Sequence, residues 1–416
     1  MSTVVFYTMQ GVLTVFVLYC FVISLFGFYR KPENNELPPG ARLAVLVAAH
    51  NEERVIGELI ENLHELDYPK DLYDIYVVAD NCDDGTAGVA AAKGANVIER
   101  FNDVDKGKGY AMEYAFGIIL DPEAEKQYDA VVVFDADNLV SKNFLTVMNS
   151  HLQRGEKIIQ GFLDTKNAAD TWVTRAIYVT YTITSRFLQL AKYNIGFTCA
   201  LGGTGMCLSA EVLKKYGWGM TSLTEDLEFQ TKALMHNIKV TWAHDAKVYD
   251  EKPLTIAQSL RQRKRWMQGH TNVAERYMGK LLWQGITTKN MAMVDGALYL
   301  VQPFFWMFTG LVIIANMFSL PFRLTFTLER EIIITVLVFV IQIVYFSIGL
   351  SLERVKPSVF LWLLYFPIFA MTWIPVAFVG FAQRKQKVWN HTLHVRNIQH
   401  GELQNLRLEE KKTTDN

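Results

Sequence analysis

Apolar and polar positions follow two different rhythms along this chain. Four stretches carry no Asp, Glu, Lys or Arg: residues 4–29, 297–322, 332–352 and 357–382, together 99 of the 416 positions. Each is at least as long as the roughly 20 residues that cross a hydrocarbon core of about 30 Å. Between the first and the second, apolar residues come in short runs. Residues 43–49 (LAVLVAA), 75–79 (IYVVA), 96–98 and 130–134 (AVVVF) have the length and make-up of buried strands. Residues 52–66 put Val55, Leu59, Ile60, Leu63 and Leu66 on one helical face, and 86–93 and 109–119 also read as helices. Strand and helix in alternation predict an α/β domain with a mostly parallel sheet and right-handed crossovers. Ligands of such sheets bind beyond the carboxyl ends of the strands. That rule selects three loops, at 49–53, 80–86 and 135–138.

Composition sharpens the division. All 83 charged residues fall in the remaining 317, about a quarter of them, the proportion of an ordinary soluble protein. The expectation is therefore a soluble domain fitted with membrane spans. A formal charge of −1 offers no general attraction for nucleic acid, and none is expected as a partner. Cys20, Cys82, Cys199 and Cys207 form no CxxC pair, so reduced thiols are expected rather than disulfides or zinc. No basic residue precedes residues 4–29 and Arg30-Lys31 follow them, which reads as a retained anchor, not a signal peptide. The same flank predicts an outside N-terminus with residue 30 onward in the cytosol.

Candidate chemistry gathers at the predicted strand ends. Asp80 closes one strand, and Asp135 and Asp137 close another in VVVFDADN. Two acids flanking a small residue can offer oxygen ligands to Mg²⁺ or Mn²⁺, which joins carboxylates to substrate phosphates. The alternative is acids that solvate a loop. Lys106-Gly107-Lys108-Gly109 precedes a helix and suits an anion, or forms a solvated turn. Thr224-Glu225-Asp226 opens a helix and alone reads as its cap. Gln262-Arg263-Lys264-Arg265-Trp266 alone reads as a basic patch for anionic lipid. Residues 172–193 and 256–277 suit helices lying on a membrane surface, or ordinary packing helices.

Taken in order, AAHNEE, ADNCDDGT, FDADN, LTED and QRKRW resemble the processive family 2 glycosyltransferases of membranes, the cellulose, chitin, hyaluronan and poly-N-acetylglucosamine synthases. The resemblance covers about residues 40–270. It implies a cytosolic GT-A domain that uses a nucleotide-sugar donor. It implies Asp226 as general base, with Thr224 and Glu225 beside it, and a metal held by Asp137 with help from Asp135. Asn51, Glu52 and Asp80 would hold the nucleoside end, with Lys108 near it. Gln262, Arg263 and Arg265 would grip the diphosphate, and Trp266 would stack on the end of the growing chain. Cys199 and Gly202 would lie in the acceptor loop, although Ala-Leu after the cysteine departs from the family pattern.

The organisation expected is an N-terminal anchor (1–31), the GT-A domain (32–255), interfacial helices with the QxxRW motif (256–295), a membrane region (296–382) and a basic cytosolic tail (383–416). Four simple crossings would leave that tail outside. Arg384, Lys385, Lys387 and Arg396, and a faint W-x-x-T likeness at Trp389–Thr392, argue for inside. Pro367 and Pro375 interrupt the last stretch, so it is expected to be broken or re-entrant. The aromatics Phe304, Phe305, Trp306, Trp362, Tyr365, Phe366 and Trp373 are either rungs of a polymer path or membrane-facing side chains. The function expected is an inverting, processive synthase at the cell membrane, with UDP-glucose the first choice of donor and UDP-N-acetylglucosamine the second. Single addition to a lipid-linked acceptor is the alternative. The growing polysaccharide, the lipid bilayer and accessory export or regulatory subunits are the expected partners.

Overall fold

The computed structural model describes residues 3–33, 37–323 and 328–386. The Trp389–Thr392 segment, Lys387 and Arg396 lie outside them. The strands are β1 (Leu43–Ala49), β2 (Tyr73–Asp80), β3 (Asn96–Arg100), β4 (Ala130–Asp135), β5 (Leu139–Val140), β6 (Ile158–Thr165), β7 (Met206–Ser209) and β8 (Val240–Asp250). Among the described residues they form one sheet, in the order β3-β2-β1-β4-β7-β6-β8-β5.

The first four strands run parallel, as the alternating pattern predicts. The sheet as a whole is mixed, because β7 pairs antiparallel with both β4 and β6, and β5 antiparallel with β8. Side chains alternate across β1. Leu43, Val45 and Val47 pack with Leu59, Ile60 and Leu63 of the Ile56–His64 helix. Ala44 and Leu46 pack on the opposite side with Met112 and Phe116 of the Lys108–Ile119 helix. A sheet buried on both faces leaves only strand ends to meet a ligand.

Among the described residues one uninterrupted helix is long and apolar enough to cross a membrane, Thr8–Phe28, with mean hydropathy 2.4. Two further candidates are bent pairs, Met291–Tyr299 with Gln302–Ile314 at 52° and Pro357–Leu364 with Phe366–Ala382 at 48°. A shorter apolar helix covers Val336–Leu352. The expected break in the last stretch falls just before Pro367. The other bend falls just before Pro303, where a ring without an N–H fits the start of a helix but not its interior.

Buried polar groups bind this helical part to the sheet. Arg186 donates to the carbonyl oxygens of Gly27 (2.6 Å) and Phe28 (3.1 Å) and pairs with Glu353 at 3.1 Å. Glu353 also meets His244 of β8 at 3.2 Å. Lys192 pairs with Asp295 at 2.9 Å, and Tyr19 of the first helix donates to the same carboxylate at 2.6 Å.

Candidate active site

β4 delivers Asp135 to the sheet's edge, and Asp137 follows in the turn. The Lys108 ammonium bridges Asp135 and the carbonyl of Gly203, the latter at 2.6 Å. Burial pulls the lysine pKa down, but Asp135, Glu225 and Asp226 outweigh it and raise it, so the ammonium stays charged. Asp137 is 6% exposed; its carboxylate accepts from the Asn138 amide at 3.1 Å and its carbonyl from Lys166 at 2.6 Å.

The loop 202–205 is tied down from beneath. Gln160, fully buried on β6, accepts from the Gly202 N–H at 2.9 Å and donates to the carbonyl of Thr204 at 2.9 Å. A Cβ on Gly202 would lie 2.4 Å from the Leu163 Cδ1 methyl, so a side chain there would require the leucine to shift. Gly203, at φ +77°, lies against Asp226: a Cβ there would sit 3.4 Å from its Oδ2 and 3.9 Å from Lys108 Nζ. DxD, lysine, glycine loop and Asp226 thus meet in one cleft.

Thr224 starts the Glu225–Met235 helix, which puts Asp226 in its first turn. The Leu227 N–H donates to Asp226 Oδ1 at 2.8 Å. Burial raises the Asp226 pKa, and Glu225 adds to the rise. Leu227 N–H, Lys108 and Arg265 pull it back, to about 7. The Ile256–Thr287 helix, opened by a Thr255–Gln258 capping box, carries QRKRW onto this site. A Cβ on its Gly269 would lie 2.5 Å from Thr224 Oγ1, so the two segments touch without a gap. Arg265 donates to the Leu223 carbonyl at 3.3 Å. Gln262 and Trp266 line a pocket beside it.

At the end of β2, Asp80 pairs with Arg100 at 2.5 Å, both side chains 7% exposed. Asn51, at φ +57°, accepts the Asp83 N–H at 3.0 Å, and the Glu52 N–H donates to Thr86 at 2.8 Å.

A profile of the family described as Glycosyltransferase like family 2 matches residues 38–269, more than half of the chain. The chain belongs to glycosyltransferase family 2. This glycosyltransferase is 25% identical over 402 residues to the probable glycosyltransferase YdaM of Bacillus subtilis, spanning 90% of this chain and 92% of the relative. It is 28% identical over 260 residues to the β-monoglucosyldiacylglycerol synthase of Synechocystis sp., covering 61% of this chain and 52% of that one. It is 22% identical over 287 residues to the poly-β-1,6-N-acetyl-D-glucosamine synthase of Staphylococcus epidermidis, covering 66% and 67%. The mannosyltransferase PcManGT of Pyrobaculum calidifontis, solved with GDP-mannose and Mn²⁺, superposes with a TM-score of 0.58 at 16% identity, over 91% of this chain and 100% of that one. At that identity the likeness shows the fold, which is GT-A-like.

Three positions in this glycosyltransferase differ from expectation. Arg263 does not face the diphosphate side with Arg265. It is 2% exposed, donates to Thr372 Oγ1 at 2.9 Å, and lies over Phe369 (4.3 Å) and Trp373 (4.9 Å). Two residues apart on a helix means about 200° of rotation, which forbids a shared face. Cys199 is 1% exposed and its thiol donates to the Gln189 carbonyl at 3.3 Å, so it packs in the core rather than meeting an acceptor. Lys108 stands between Asp135 and Gly203, not at the nucleoside end.

Asp250 and Lys252 escaped sequence reading. Asp250 closes β8 as Asp80 and Asp135 close their strands, so the same rule selects it once β8 is recognised. Burial raises its pKa, against the pull of Lys252 and with a further push from Asp137 and Asp135, to about 6. Trp266 stacks on Trp373 at 6.5 Å, and Trp373 on Trp306 at 6.3 Å.

Proposed function

We propose that this glycosyltransferase is a membrane-bound, inverting enzyme that lengthens a β-linked polysaccharide from a UDP-sugar, with glucose the first donor to test and N-acetylglucosamine the second. The observation that carries the reading is Asp226. Its carboxylate, tuned to about 7, lies against a glycine loop and a charged lysine on one side and the QRKRW helix on the other. A carboxylate of that pKa is half-ionised near neutral pH and is still basic enough to take a hydroxyl proton.

Asp135 at the end of β4 and Asp137 in the turn after it offer hard oxygens, a donor pair that fits Mg²⁺ or Mn²⁺. Among the described residues no three His, Cys, Asp or Glu side chains are placed to hold an ion together, so substrate phosphates would have to complete its shell. When bound, the ion would neutralise the leaving diphosphate as a Lewis acid. The protein's own groups do the rest. Lys108 and Arg265 stabilise negative charge on the departing nucleotide. Asp226 accepts the proton of the acceptor hydroxyl as that oxygen attacks the anomeric carbon. The acceptor oxygen bonds to the anomeric carbon as the bond to the nucleotide diphosphate breaks, with no carboxylate acting as a nucleophile in between, so the configuration inverts.

A second reading, one sugar added to a lipid acceptor, is favoured by the likeness to β-monoglucosyldiacylglycerol synthase. Purified protein incubated with UDP-glucose, UDP-N-acetylglucosamine or GDP-mannose and Mn²⁺ separates the two. Insoluble high polymer with β linkages is the result expected. A product carrying one sugar per lipid would favour the second reading, and no nucleotide release with any donor would overturn both.

A further inference from the structure

Three of the four residues 202–205 are glycine, so Thr204 carries the loop's one side chain. That side chain reaches the end of β4. The Asp135 N–H donates to Thr204 Oγ1 at 3.1 Å, and to Asn138 Oδ1 at the same distance. The Thr204 hydroxyl in turn donates to Asn138 Oδ1. The Asn138 amide nitrogen donates to Asp137 Oδ1. Thr204 is 3% exposed and Asn138 1%, so water does not compete for these bonds.

The neighbours fix each group's part in this network. A backbone N–H can only donate and an ionised carboxylate can only accept. The Asn138 oxygen must therefore face Asp135 N–H and its nitrogen Asp137. The Thr204 oxygen receives one proton and gives one, as a hydroxyl can and a methyl cannot.

Thr204 thus stands between two sets of groups. On one side are Asp135 and Asp137. On the other is Gly203, whose carbonyl accepts from Lys108 at 2.6 Å and which lies against Asp226. The rest of the loop is held by backbone and by Gln160. The Gly205 N–H donates to the Val133 carbonyl at 2.8 Å, and its carbonyl accepts the Gly161 N–H at 2.8 Å. The Thr204 hydroxyl adds the tie to the turn that follows β4.

We propose that Thr204 is a positioning residue for transfer: through Asn138 it holds the Asp135–Asp137 turn and the Gly203 backbone in one geometry, which keeps the donor side in register with Asp226. The inference rests on the roles proposed for Asp135, Asp137 and Asp226, and not on whether polymer or a single addition results. A misplacement of about 1 Å at a reacting centre can cost on the order of 100-fold in rate, so losing the tie should appear in kcat. The Asp135 N–H keeps Asn138 as acceptor when Thr204 loses its hydroxyl, so nucleotide binding should survive.

The test compares Thr204→Val with Thr204→Ser in the full-length protein in detergent. Calorimetry with UDP and Mn²⁺ reads nucleotide affinity, and product formation from the donor panel gives kcat. Thr204→Val should bind UDP within about twofold of wild type and lose about tenfold or more in kcat. Thr204→Ser keeps the hydroxyl and should restore most of that loss. If Thr204→Val fails to fold, Thr204→Ala removes the same hydroxyl without filling its place and decides by the same ratio. A kcat close to wild type in the folded Val or Ala protein, even with a lower melting temperature, would make the tie merely structural and overturn the inference. Loss of UDP affinity in step with kcat would overturn it too, because the hydroxyl would then serve the donor site alone. So would an equal kcat loss in Thr204→Ser. Asp226→Asn separates the inference from the reading beneath it. Normal kcat in Thr204→Val beside an inactive Asp226→Asn would remove the tie and leave the base. An impaired Thr204→Val beside a fully active Asp226→Asn would keep the tie and sink the base.

Discussion

Asp226, the proposed base, is a carboxylate whose surroundings raise its pKa to about 7. Transfer should therefore fall about tenfold per unit as pH drops below 7 and level off above it, read from kcat/KM at saturating donor. Asp226→Asn should lower transfer by more than ~100-fold while UDP-sugar binding, measured by calorimetry, persists; full activity would remove the base assignment. The same residue has a stability signature. A raised carboxylate pKa means that ionisation is harder in the folded state. That penalty is absent below pH 3.8, grows as pH rises to about 7 and is constant above it. The melting temperature of Asp226→Asn should therefore exceed wild type by more at pH 8 than at pH 5.

At the scale of elements, the glycine contacts set the geometry. Gly269 lets the QRKRW helix touch the Thr224 backbone, where a Cβ would come within 2.8 Å of its nitrogen. Gly269→Val should push the helix off the base and cost at least tenfold in nucleotide release, with donor affinity kept. Much of this was legible in the chain. The parallel half of the sheet follows from short apolar runs alternating with amphipathic segments, and β1 falls on the expected residues. β7 was not legible: MCLS is four residues long, and its antiparallel direction is imposed by its neighbours β4 and β6. The motif order named Asp135, Asp226 and Arg265, which the fold sets around Lys108, Gly203 and Leu223. It failed at Arg263 because a motif records spacing and omits helical phase. Gln160 was invisible, since a glutamine inside an apolar strand announces its partners only after folding.

At the scale of the whole molecule, the proposed membrane placement is testable at the last apolar stretch. A Lys387→Cys protein labelled by a membrane-impermeant reagent only from the cytosolic side would support the re-entrant last stretch; labelling only from outside would sink it. The joint between helices and sheet makes a separate prediction. Arg186 and Glu353 are 4% and 10% exposed, and removing one partner of a buried pair costs about 3 to 5 kcal/mol. Glu353→Gln should lower the melting temperature and leave the KM for donor unchanged. The carbonyls of Gly27 and Phe28 complete the Arg186 shell. Trimming the first helix to obtain a water-soluble enzyme would strip that guanidinium of two acceptors and leave it in the interior. Shortened proteins that start after residue 28 are thus expected to aggregate even in detergent, whereas those that keep the chain from Phe26 onward retain the seal. The first apolar helix is, at its C-terminal end, part of the catalytic body's own keystone.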